Sequence, residues 1–304
     1  MLPLFPAFEK LCIEHKEPIQ EITKQYPPFS DFNFFSMWCY NTDGNCQVSV
    51  LNNSLIAKMK DYTSNKYFFT FLGDHDAEDV IEKLLKLAKT EKNTDRTLRM
   101  IPSINIERNE NISRTFALQE DIDNFDYILS IEELAKLEGN KYYPHRNLVR
   151  RFAKQYPEHE KVVLDLCNKA VQKDILELFL SWEHEKGLKR KDSINELIAL
   201  KRGLEAAKHF DLYGLGIYFN NKLVAFSIEE KVSDDYVVAH FGKATKQYLG
   251  IYDYIETESA KYYHSKNLKY LNYEQDLGIP GLRKAKLLWH PVKFLKKYII
   301  KEHG

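Results

Sequence analysis

The residues best suited to chemistry sit together near the C terminus, in Asn272-Tyr273-Glu274-Gln275-Asp276-Leu277-Gly278-Ile279-Pro280-Gly281-Leu282-Arg283-Lys284-Ala285-Lys286. Gly278, Pro280 and Gly281 make a tight bend. Three cations follow it, Arg283, Lys284 and Lys286. Glu274 and Asp276 leave the end of a predicted strand facing that basic turn. Such a site suits an anionic or electron-rich substrate, with a carboxylate near enough to act as base. The same residues also fit a solvated turn with surface ion pairs. His240 shares a strand face with Tyr236 and Val238 and is a further candidate for proton transfer, although an isolated histidine more often serves structure. Tyr273 and Tyr254 offer phenols that can protonate a leaving thiolate or alkoxide.

Two further stretches suit phosphate. Gln247-Tyr248-Leu249-Gly250-Ile251-Tyr252 lies between a predicted strand and a predicted helix. Backbone N–H groups at such a helix start hold a pyrophosphate well. Tyr252 is bulky where close approach would favour a small residue. The second stretch is a basic helix carrying Lys141, His145, Arg146, Arg150, Arg151 and Lys154. Arg146 and Arg150 share a face, as do Lys141 and His145. This stripe fits a phosphate-bearing donor such as tRNA, a lipid head group or CoA, or else a solvated helix face. Lys293, Lys296 and Lys297 alternate with Phe294, Leu295, Tyr298 and Ile299. They form a basic amphipathic end, suited to an anionic membrane surface or to a docked element with one wet face. No Ser-His-Asp arrangement, phosphate-binding Walker loop, HExxH or EF-hand occurs, and no metal is expected.

The elements that must position these residues come from a chain of 304 residues, enough for about two domains. Hydrophobic residues at 44% and charged residues at 29% exclude a disordered or fibrous chain. Lys+Arg and Asp+Glu both number 44, which argues against an overall basic coat for nucleic acid. Cys12, Cys39, Cys46 and Cys167 form no CxxC pair, so reduced thiols in a cytoplasmic protein are expected. The start, MLPLFPAFEK, lacks the pattern of a signal peptide. The densest apolar stretch, Tyr67 to Leu72, is far too short to span a bilayer.

Patterning predicts strands over Phe34–Tyr40, Cys46–Leu51, Ser54–Lys58 and Lys66–Phe71, then a helix over Asp76–Lys89. Strands over Leu98–Ile106 and Ser113–Leu118 follow, then a short helix over Ile131–Leu137 and the basic helix. The second half reads as a strand over Val162–Leu166 and a helix over Ala170–Glu185. Ser193-Ile-Asn-Glu196 is a capping box opening a helix through Ala207. A hairpin of Tyr213–Phe219 and Leu223–Val232 comes next, then Tyr236–Gly242, a helix over Ile251–Ser265, and a strand over Lys269–Glu274. This is no regular strand–helix alternation, so a doubly wound sheet is a poor fit.

An antiparallel meander followed by a helix and a parallel strand resembles the GNAT acyltransferase fold, which binds acyl-CoA in a splay between its fourth and fifth strands. Asn272 to Lys286, with the basic helix Lys141 to Phe152, resembles the C-terminal domain family of phosphatidylglycerol lysyltransferases. That family has two GNAT-like halves in tandem and is related to Fem-type aminoacyl transferases. Free-standing bacterial members are similar to this chain in length.

The resemblance implies an α/β (α+β) protein of two tandem GNAT-like domains with mixed, mainly antiparallel sheets, over about residues 1–138 and 139–304. The second would carry the active site. It implies a transferase moving an acyl or aminoacyl group to an amine or hydroxyl acceptor. Aminoacyl-tRNA or acyl-CoA would be the donor, with no metal. Glu274, Asp276, His240 and Tyr273 are then the catalytic candidates. Arg283, Lys284, Lys286, Lys141, His145, Arg146 and Arg150 are the substrate-binding candidates, and Gln247, Gly250 and Tyr252 the cofactor-binding ones. The expected partners are tRNA, through residues 141–154, and an anionic lipid head group at the inner membrane face. The sequence carries no counterpart of the membrane-spanning half of the lysyltransferases, so the acceptor stays open. Two other readings stand: an acyl-CoA-dependent N-acetyltransferase, and a catalytically degenerate tandem scaffold binding a lipid, nucleic acid or protein. Tyr252 and the balanced charge point to the scaffold.

Overall fold

A computed structural model describes residues 1–61, 64–107, 109–187 and 190–303. The chain forms two compact units. One comprises Met1–Asp126, Gln275–Pro280 and Phe294–Gly304, and the other Tyr127–Glu274 and Gly281–Lys293. Among the described residues no helix is long and apolar enough to cross a membrane.

The first unit runs β1 (Glu9–Lys10), α1 (Lys16–Thr23), α2 (Phe34–Tyr40), β2 (Gln47–Leu51), β3 (Ser54–Lys60), β4 (Tyr67–Leu72), α3 (Ala77–Thr90), β5 (Thr94–Pro102), α4 (Ile112–Thr115) and β6 (Phe116–Glu120). The C-terminal strand β14 (Lys297–Glu302) completes a sheet of order β1-β2-β3-β4-β5-β14-β6. Its pairs are antiparallel except β4 with β5, which α3 connects. The α3 residues Ala77, Val80, Ile81, Leu84, Leu85 and Ala88 recur every three or four positions. They bury one stripe against Ile56, Phe69, Phe71, Leu98 and Ile101. Each large side chain so buried contributes about 1.5–3 kcal/mol. Past β5, Asn105 bonds the end of β4. Its Nδ2 donates to the Phe71 carbonyl at 2.5 Å, and its Oδ1 accepts from the Gly73 N–H at 3.2 Å.

Three expectations for this unit change. Phe34–Tyr40 is a helix, not a strand. Asn33 caps it by accepting from the Ser36 N–H at 2.9 Å, and Phe34, Phe35, Met37 and Cys39 are all buried. A short apolar run buried all round has no period to distinguish strand from helix. The strand expected over Leu98–Ile106 runs instead over Thr94–Pro102, and the one expected from Ser113 starts at Phe116, after the single turn of α4. Of the two readings of the basic amphipathic end, the docked element holds, since it ends in the strand β14, in which Lys297 is fully buried. Its ammonium pairs with Asp31 and with Asp126, the latter at 2.8 Å.

The remaining elements, which lie wholly or in part in the second unit, are β7 (Asp126–Ser130), α5 (Ile131–Lys136), α6 (Tyr143–Gln155), β8 (Glu160–Val163), α7 (Lys169–Glu185), α8 (Arg190–Ala206), β9 (Leu212–Phe219), β10 (Lys222–Lys231), β11 (Tyr236–Ala244), α9 (Ile251–Ser265), β12 (Tyr270–Asn272), α10 (Pro280–Leu288) and β13 (Lys293–Leu295). The sheet order is β13-β7-β12-β11-β10-β9-β8, with β11 and β12 parallel. Helix α9 packs on β9, β10 and β11, and α7 on β10 and β11. Asn168 caps α7, accepting from the Ala170 N–H at 2.8 Å. The capping box expected at Ser193 is absent, because α8 already runs from Arg190. Ser193 lies inside it and its hydroxyl donates to Glu183 of α7. Strand β8 ends at Val163, short of the expected Leu166. Leu164 and Leu166 instead cover Gly214 and Gly216, where a Cβ would meet them at 2.6–2.9 Å.

Candidate active site

The parallel pair of β11 and β12 lasts three residues, Tyr236↔Tyr270, Val237↔Leu271 and Val238↔Asn272. β11 continues to Ala244, but β12 stops. Sequence patterning carries that strand on to Glu274. Glu274 instead turns off with a φ of 55°, and its N–H donates to the Asn272 Oδ1 at 2.8 Å. The two strands therefore part just beyond Val238 and Asn272, leaving one edge of β11 without a strand partner. The register also slips here. Ile228 of β10 faces Phe241 and Glu229 faces Ala239, so His240 is the extra residue of a β-bulge. A bulge bends its strand and re-aims the side chain at the bend.

His240, buried to 6% exposure, meets two carboxylates. Its Nδ1 lies 3.3 Å from Glu274 and its Nε2 3.5 Å from Glu230 of β10. Burial opposes the imidazolium, but the carboxylates of Glu230 and Glu274 beside it outweigh that and push the pKa up to about 9. The ring is thus a cation at neutral pH, pinning Glu274 at the mouth of the splay.

On the α9 side the next residue back, Tyr273, donates its hydroxyl to Glu256 of α9 at 2.8 Å. Burial, and then the charge of Glu229, push the Glu256 carboxyl up to about 8. Burial and the neighbouring Glu256 hold the Tyr273 phenol well above its ordinary range. Glu229 of β10 accepts from the Ser259 hydroxyl at 2.5 Å. Burial raises it to about 7 against the bond from Ser259. Lys286 of α10 is buried, donates to the Tyr273 carbonyl, and lies 5.0 Å from the centre of the Tyr273 ring.

The structure thus brings together Glu274, His240, Tyr273 and Lys286 of the expected site residues. Lys286 is built into the wall rather than held out to solvent. Asp276 lies in the first unit, fully buried, where its Oδ1 accepts from the Gly278 N–H at 2.8 Å and shapes the turn. Arg283 and Lys284 lie on α10, with Lys284 exposed.

The basic helix is α6, and it is largely committed to packing. His145 bonds Asp253 of α9 at 2.6 Å and the Leu288 carbonyl at 2.9 Å, and stacks on Trp289 at 4.0 Å. Arg146 donates to the Leu137 and Gly139 carbonyls just past the end of α5. Lys141 pairs with Glu133 at 2.8 Å. Arg150, Arg151 and Lys154 are exposed.

Of the expected cofactor residues, Gln247 is exposed and Gly250 caps α9 with a φ of 88°. A Cβ at Gly250 would lie 2.3 Å from the Leu148 carbonyl oxygen of α6. Close packing of α6 therefore demands this glycine, whatever binds nearby. Tyr252 lies in the first turn of α9. Among the described residues no group of three or more His, Cys, Asp or Glu is arranged to hold a metal.

Sequence reasoning missed Glu229, Glu230 and Glu256. The first two had a signal: two adjacent carboxylates directly after the largely apolar run Leu223–Ile228, in a strand buried on both faces. Nothing in the spacing along α9 marked Glu256.

Residues 23–301 match the family described as phosphatidylglycerol lysyltransferase, C-terminal. A conserved protein of unknown function from Bacteroides thetaiotaomicron superposes with a TM-score of 0.86 at 26% identity, over 100% of both chains. The C-terminal domain of a putative lysylphosphatidylglycerol synthetase from Agrobacterium fabrum gives a TM-score of 0.66 at 12% identity, covering 96% of this chain and 92% of that one. A tandem GNAT protein from the clavulanic acid biosynthesis pathway gives 0.52 at 8% identity over 98% of each chain. The fold is two GNAT-like domains in tandem, with mixed, mainly antiparallel sheets. An uncharacterised protein of Mycoplasmoides gallisepticum is 23% identical over 188 residues, 60% of this chain and 58% of that relative's length.

Proposed function

Because the chain belongs to the phosphatidylglycerol lysyltransferase C-terminal family, a family of transferases, we propose that it moves an aminoacyl group from aminoacyl-tRNA to an amine or hydroxyl acceptor, in the splay of the second unit. The acceptor attacks the ester carbonyl and forms the new C–N or C–O bond. The bond to the tRNA ribose oxygen then breaks, and the acceptor's proton ends on that oxygen. Such a transfer needs two substrates held in line and donors for the tetrahedral oxyanion, and no covalent enzyme intermediate. The unpartnered edge of β11 lies beside the splay and suits the oxyanion. Glu274, held by His240, orients the acceptor. Arg150, Arg151 and Lys154 track donor phosphates.

The observation that carries the choice of donor is the packing at Gly250. A CoA pyrophosphate would need open N–H groups at the start of α9. The Leu148 carbonyl, with its partial negative charge, fills the space beside Gly250 instead. Tyr252 adds bulk in the same turn. Both features support a donor whose phosphates lie elsewhere, which tRNA satisfies.

The test is transfer of a labelled amino acid from charged tRNA to lipid vesicles and to small amine and hydroxyl acceptors. A calorimetric titration with acetyl-CoA runs beside it. Labelled product, its loss with Glu274→Gln in a folded variant, and no heat with acetyl-CoA are expected. Micromolar acetyl-CoA binding without tRNA-dependent transfer would overturn the choice of donor. Neither transfer nor binding would leave the chain a scaffold.

A further inference from the structure

Where β12 ends, two consecutive residues reach in different directions. Glu274 meets His240 of β11, and Tyr273 meets Glu256 of α9. Two proton-bearing pairs therefore flank the opening of the splay, and they differ in kind. The Glu274 carboxylate lies against the buried His240 ring, which holds it in place at the end of β12. Glu256 has a phenol as its hydrogen-bond partner, and the nearby carboxyls Glu229 of β10 and Asp253 of α9 itself both resist a second negative charge. The cation facing it is Lys286 of α10, whose ammonium is engaged by the Tyr273 carbonyl.

We infer that Glu256, acting through the Tyr273 hydroxyl, is the base of the transfer, and that Glu274 is a positioning residue. The inference rests on the transfer reading above. As the acceptor's N or O attacks the acyl carbonyl, its proton passes to the Tyr273 Oη while the Tyr273 proton passes to the Glu256 Oε1. When the ester bond breaks, the proton returns along the same two oxygens to the ribose oxygen. No charge is stored at the end of the cycle and no other reactant is needed. The phenol remains a neutral relay, because burial and Glu256 both disfavour phenolate. A base matched to neutral pH transfers protons most effectively. Burial and Glu229 raise Glu256 to about 8, so it holds its proton most of the time at pH 7 and is fully ionised only well above pH 8.

The experiment follows turnover against pH with a hydroxyl acceptor, which does not itself titrate in this range, using the full chain and charged tRNA. Wild type, Glu256→Gln, Glu256→Asp and Tyr273→Phe are compared, with folding checked by thermal melts. Wild-type turnover is expected to rise with a midpoint near pH 8. Glu256→Gln should lose about a hundredfold or more and lose that rise. Glu256→Asp should recover part of the rate, and Tyr273→Phe should match the glutamine variant. Infrared difference spectra of the donor-free protein supply a readout apart from activity. A protonated-carboxyl band that titrates near pH 8 in wild type should be absent from Glu256→Gln. A Glu256→Gln enzyme that is active within threefold, or that keeps the same pH rise, overturns the base assignment. A carboxyl band that titrates as expected in a protein without transfer activity refutes the transfer reading instead, and with it the assignment.

Discussion

His240 should make the stability of the second unit fall as the solution becomes alkaline. The imidazolium is favoured in the folded protein, where its pKa is about 9, over the unfolded chain, where a histidine titrates near 6.5. The stability it supplies is therefore complete below pH 6.5 and is lost as pH rises through 9. A gap of about two and a half pH units, at about 1.36 kcal/mol per unit, corresponds to about 3 kcal/mol. Glu229 and Glu256 act in the same sense. Both are raised above the carboxylate range, so their protonated folded forms lend stability that is lost as pH passes about 7 and about 8. Urea unfolding of wild type and His240→Gln from pH 6 to pH 10 isolates the histidine. The variant should be less stable at pH 6, and its stability should fall less steeply between pH 7 and pH 10. The imidazole C–H resonance of His240 should titrate near pH 9. Parallel pH profiles for the two proteins, or a resonance that titrates near 6.5, would refute the account of a cation held between Glu230 and Glu274.

Other consequences can be measured directly. Gly250→Ala should cost at least about 1–3 kcal/mol, because it combines a left-handed backbone with a collision against the Leu148 carbonyl, and chemical denaturation will read it. Arg146→Ala should cost about 1 kcal/mol of stability through the carbonyls it leaves past α5. Arg150→Ala should leave the melt unchanged and weaken tRNA binding in a filter or fluorescence titration, with a shallower salt dependence. Lys297→Met should cost about 3–5 kcal/mol in urea, because Asp31 and Asp126 would lose the cation between them.

Much of the fold was legible because apolar spacing records which face of an element is covered. The stripe along α3, the hairpin of β9 and β10, and helix α9 all follow from it. Phe34–Tyr40 was misread because a run buried on every side carries no period, and its signal was the capping Asn33. The site was legible only in part. Glu274, Tyr273 and His240 stood out as chemistry beside a turn. Lys141, His145 and Arg146 had the same spacing as a phosphate grip, yet their partners are Glu133, Asp253 and backbone carbonyls, which no helical spacing discloses.

By itself the sequence determined the composition of a folded chain, most of its strands and helices, and the Asn272–Lys286 stretch that carries the family likeness. These are local properties, set by which residues follow one another. Tertiary structure alone decided the rest. His240 and Glu274 are 34 residues apart in the chain and meet only because β11 bulges where β12 stops. Glu256 and Glu229 take up protons near neutrality only because sheet and helix exclude water from them. Gly250 is a glycine because α6 packs on it. Charge, proton affinity and space depend on what lies across the fold, and a one-dimensional pattern holds no record of that.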